Sequence, residues 1–67
     1  MTGWRLVDGS PVACREKLVV LAENEAEVRQ ALQDAFEDAV LMGVDEASAR
    51  GVLASLVEGL RSPKRAR

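Results

Sequence analysis

The stretch NEAEVRQALQDAFEDAVLMGVDEASARGVLASLVEGL, residues 24–60, decides the fold class. In its first half Val28, Ala31, Leu32, Ala35, Phe36, Ala39 and Val40 recur at intervals of three and four, the period of one helical face. Asn24 followed by Glu27 has the form of a capping box at the start of that helix. Met42-Gly43 ends it, because glycine adopts the left-handed conformation that closes a last turn. Asp45 is placed to cap a second helix, with Glu46 in its first turn, where a carboxylate meets the positive end of the dipole. Ala49, Val52, Leu53, Leu56, Val57 and Leu60 form the apolar stripe of this helix, and Ser62-Pro63 stops it. The link between the two is so short that they fold back as a helical hairpin.

Working outward, residues 1–9 read as an N-terminal arm. Trp4, Leu6 and Val7 suit a short strand, and Asp8-Gly9 is a turn signal. Ser10-Pro11 then reads as a helix start, a capping side chain followed by proline at the first helical position. A shorter helix would run from Pro11 to about Ala22, with Cys14, Leu18 and Leu21 on one face. The apolar run Leu18–Leu21 also suits a buried strand that pairs with Trp4–Val7. The expected architecture is all-α: a small bundle of two long antiparallel helices, a shorter one before them, and the arm. Residues 10–61 form the helical domain and 62–67 a basic, disordered tail.

The totals bound the function. A chain of 67 residues buries only about 60% of its unfolded surface, so its core is marginal unless reinforced. Cys14 is the one cysteine and there is no histidine, which leaves no internal disulfide and no tetrahedral zinc site. A second chain is the reinforcement that remains, as a homodimer or a hetero-complex. Catalysis has no machinery: Cys14 lacks a base to activate it and reads as a small buried apolar residue. No cofactor is expected. The N-terminus has no basic region leading into an apolar run, and no stretch has the 18 or so apolar residues of a membrane span. The expected location is cytoplasmic.

Residues 18–32, LVVLAENEAEVRQAL, resemble the opening strand, acidic turn and first helix of a response-regulator receiver domain. In that family an acidic pair after the first strand holds magnesium, and the matching stretch here is Glu23-Asn24-Glu25. The resemblance stops there, since the remaining chain is too short for the later strands and the phosphorylated aspartate.

Charge is the sharper clue. Residues 1–60 carry five basic and eleven acidic side chains, whereas Arg61, Lys64, Arg65 and Arg67 crowd the end. Glu27, Asp34 and Asp38, spaced seven and four apart, line one helical face with Glu37 beside them. Such a stripe either keeps the chain soluble or docks a partner with a basic surface. Ala47, Gly51, Ser55 and Gly59 form a ridge of small residues in the last helix, which reads as close helix packing or a dimer contact. Trp4 either covers the end of the core or anchors a partner. The hairpin also imitates a helix-turn-helix, but its last helix offers only Arg50 and Arg61 as cations and the preceding helix repels phosphate.

The expected function is therefore a small regulatory protein that binds another protein, of the antiactivator, inhibitor or adaptor type known from bacteria and phage. The alternatives are a small helix-turn-helix-like DNA-binding regulator and a structural dimerisation module.

Overall fold

The computed structural model describes residues 3–64. The first two residues of the arm and residues 65–67 of the tail lie outside the described residues. The protein is mostly helical, with α1 at Arg15–Leu41 and α2 at Glu46–Glu58, and no named strand among the described residues. The all-α expectation holds at that level. The chain divides into two compact units, Met1–Gln30 and Ala31–Arg67.

One helix stands where two were expected. The segment Pro11–Ala22 is not a separate helix, and Asn24 does not cap a new one; both stretches lie within or just ahead of the 27-residue α1. The reason is local. No glycine or proline occurs between Val12 and Met42, and Ala22, Glu23, Glu25, Ala26 and Glu27 are all strong helix formers. A cap at Asn24 would gain about 1 kcal/mol but sacrifice the hydrogen bonds of a continuing helix. For the same reason Leu18–Leu21 is helical rather than a strand. The receiver-like opening strand is therefore not formed.

In the first unit the arm turns on itself. The amide of Leu6 donates to the Ser10 carbonyl at 2.8 Å, that of Gly9 to Leu6 at 2.9 Å, and that of Val12 to Trp4 at 3.1 Å. Gly9, at φ 91°, makes the three-residue loop affordable, since a β-carbon there would be strained. Arg5 and Pro11 form an isolated antiparallel bridge. The Asp8 carboxylate accepts from both the amide and the hydroxyl of Ser10, at 2.9 and 2.7 Å. These bonds to Ser10 hold the Asp8 carboxyl below its ordinary pKa. They also occupy the Ser10 side chain that the sequence offered as a helix cap. Helix α1 starts five residues later, at Arg15, with Leu18 donating to the Cys14 carbonyl at 3.0 Å.

The second unit is the hairpin made by the end of α1 and α2, and here the local signals are followed closely. Gly43 sits at φ 94°. Its amide donates to Val40 at 3.0 Å, and that of Val44 reaches back to Ala39 at 2.9 Å, the paired bonds of a Schellman ending. Asp45 caps α2 by accepting from the Ser48 amide at 2.9 Å. The chain between the helices is fixed by these bonds, and α2 is held against α1 through Ala49, only 5% exposed, and the Arg50 guanidinium 4.6 Å from the Phe36 ring centre.

Asp45→Ala removes the one side-chain cap of α2. It should lower stability by about 1 kcal/mol, read as a drop in the far-UV thermal midpoint, whereas Asp45→Asn should retain most of it.

Candidate functional site

Ala49 is the only buried hydrophobic residue among those described. The large apolar side chains of the helices remain in contact with solvent: Val52 is 58% exposed, Leu56 61% and Leu41 85%. In the second unit a shallow groove of about 260 Å³ opens between α1 and α2. Its lining is Ala35 and Ala39 from α1, Val44 from the link, and Ala49, Val52 and Leu53 from α2. No charged side chain lines it. Helical spacing explains this: Ala35 and Ala39 are one turn apart, and Ala49, Val52 and Leu53 fall on one face of α2.

The acidic residues lie on the outside. Glu27, Asp34, Glu37 and Asp38 are all exposed. Asp34 and Asp38, one turn apart in the second unit, share a face of α1, and Glu37 accepts a hydrogen bond from the Gln33 amide nitrogen at 2.8 Å. Glu27 belongs to the first unit, so the stripe is described as Asp34, Glu37 and Asp38 in one unit and Glu27 in the other. Two arginines of the helices make ion pairs one turn apart: Arg29 with Glu25 at 2.7 Å, and Arg50 with Glu46 at 3.6 Å. Arg50, offered as a base-reading cation of a recognition helix, instead lies over Phe36.

Trp4 belongs to the exposed apolar side chains of the arm. It is 40% exposed and its indole nitrogen donates to Glu25 at 3.3 Å, within the first unit. Glu25 thus accepts from Trp4 with one oxygen and from Arg29 with the other. The sequence reading missed this junction. The Glu25-Arg29 spacing was visible, but nothing in the chain order places Trp4 beside Glu25.

Among the described residues, the two glycines of the small-residue ridge have no close neighbour outside their own helix. A β-carbon added at Gly51 would meet nothing within 4 Å, and one at Gly59 would meet only the Ser55 and Leu56 carbonyls of its own helix. The Ser55 hydroxyl donates to Val52 of its own helix at 2.6 Å. Ala47 is exposed.

Cys14 is a correction: it is exposed, not buried. It stands immediately before α1, where its sulfur meets free amides of the first turn. The Lys17 and then the Glu16 amide lower its pKa from the ordinary thiol value. Among the described residues no group of three or more metal-binding side chains converges, and no helix is long and apolar enough to cross a membrane.

Comparison of the chain with protein-family models, with curated proteins and with solved structures finds no match in any of the three.

The folded-state pKa of Cys14 is depressed, so the thiolate cap contributes above the unfolded thiol's pKa and is lost as pH falls through the folded one. Alkylation by iodoacetamide should follow a pH profile with its midpoint below that of the same chain in urea; coincident profiles would show that the helix start does not acidify the thiol.

Proposed function

We propose that this chain is a small regulatory protein that works by binding another protein, as an antiactivator, inhibitor or adaptor, rather than by catalysis. The observation that carries the reading is the exposure of its apolar helix faces. Among the described residues one hydrophobic side chain is buried, so most of the apolar surface is available to another molecule. The acidic face supplies the chemistry of the partner. Asp34, Glu37 and Asp38 follow one another along α1, and no basic residue occurs between Ala31 and Leu41. Carboxylates arranged in this way attract a protein with a basic surface, such as the nucleic-acid-binding region of a regulator, and repel phosphate. Glu27 extends the same character into the first unit, and the arm around Trp4 offers a second contact. The proposed place of action is the cytoplasm.

Charge reversal separates this reading from a structural role. Asp38→Lys places opposite charges one turn apart and should raise helix stability by about 0.3 kcal/mol. In the same variant, capture of a basic partner from native lysate should fall sharply and lose most of its salt dependence. Undiminished, salt-insensitive capture would remove the acidic face from the mechanism. Salt-sensitive retention of the wild-type chain on duplex DNA would replace it with the nucleic-acid reading.

A further inference from the structure

We propose that the N-terminal arm is a strap that opens and closes over one face of α1, latched at Glu25 and hinged at Ala13, while the helix beneath it stays formed. The inference lies within the first unit and does not rest on the acidic face of the second.

The arm is closed on itself. Besides the backbone bonds that join Leu6 to Ser10 and Val12 to Trp4, the Arg5 guanidinium donates to the Gly9 carbonyl at 3.0 Å. Val12 is thus the last residue tied into the arm, and Cys14, which accepts from the Leu18 amide, is the first tied into α1. Ala13 between them is the joint. Opening there breaks none of the arm's own bonds, so the arm leaves the helix as a body.

The exposed and covered faces show what the strap lies over. The bridge between Arg5 and Pro11 sets Trp4 opposite Val12. Side chains alternate along extended chain, so Trp4, Leu6 and Val12 share one face of the arm. Trp4 and Leu6 are each 40% exposed and Val12 is half-buried, whereas Val7 at the turn is 94% exposed. On α1 the half-buried residues of this unit are Leu18, Leu21 and Glu25, spaced three and four apart on a single face. Val19 and Val20, which fall beside that face, are exposed. The Trp4 indole donates to Glu25 at its far end. The apolar face of the arm therefore lies over Leu18 and Leu21, with Glu25 as the latch. Closed, the two apolar faces cover each other; open, both the indole and the Leu18–Leu21 face are offered to another molecule.

Trp4 is the one tryptophan and the chain has no tyrosine, so intrinsic emission reports the arm. The test is a urea titration of the full chain at one fixed concentration, followed by Trp4 emission and by far-UV circular dichroism. The emission should move to the red before the helical signal falls. Alanine variants of α1 then locate the latch, since alanine preserves the helix. Glu25→Ala and Arg29→Ala both remove the ion pair, but only the first removes the acceptor of the indole. Glu25→Ala should lower the closed-to-open ratio about fivefold, the effect of one ordinary hydrogen bond, read as stronger acrylamide quenching of Trp4. Arg29→Ala should quench as the wild type does. Leu21→Ala should open the arm, and Val20→Ala should not. Coincident emission and dichroism transitions overturn the proposal, as does equal quenching within either pair of variants. The wild-type titration decides the matter even where a variant fails to fold.

Discussion

Two helices joined by a link of four residues, Met42–Asp45, touch along one strip and can bury only what lies on it. In the second unit that strip is centred on Ala49, the smallest side chain that could occupy it. Most of the structure's character follows from this constraint. Alanine lets the helices come close but removes little area from water, so packing within the chain contributes little hydrophobic stabilisation. What fixes the hairpin instead is hydrogen bonding at the turn: the Schellman bonds of Gly43 and Val44, the Asp45 cap, and the seating of Arg50 over Phe36. These determine direction more than stability. They place Val44 and Val52 at the rim of an open groove rather than inside a closed core.

The first unit meets the same shortage with polar contacts. The arm closes through backbone bonds and the Asp8–Ser10 pair, and it reaches α1 through the Trp4–Glu25 hydrogen bond. Exposed bonds of this kind are individually weak, since water competes for each partner. Weak internal ties combined with exposed apolar stripes are what the proposed role in association rests on.

Sequence reading recovered what is encoded over a few neighbouring residues. The helical period of residues 28–40, the glycine at 43 and the cap at 45 all appear where local chemistry places them, whereas α2 ends at Glu58 with Gly59 as its cap, short of the expected stop at Ser62-Pro63. It failed where two local signals competed. Ser10-Pro11 and Asn24–Glu27 each have the form of a helix start, but Ser10 is claimed by Asp8, and an uninterrupted helix outweighs the cap at Asn24. Cys14 was misjudged because apolar character was taken to imply burial, whereas its place ahead of α1 exposes the thiol to free amides. The pairing of Trp4 with Glu25 spans 21 positions and left no trace in the local pattern. The acidic residues were legible as a face of α1; whether that face binds was not, because solubility and docking ask for the same residues.

The central claim is that this fold is completed by another chain, and thermal unfolding across a range of concentrations tests it most directly. Far-UV circular dichroism between about 1 µM and about 200 µM should show a midpoint that rises steadily with concentration, as mass action requires when association and folding are coupled. A cooperative transition whose midpoint is the same at every concentration would contradict the account, since the single chain would then hold its helices unaided.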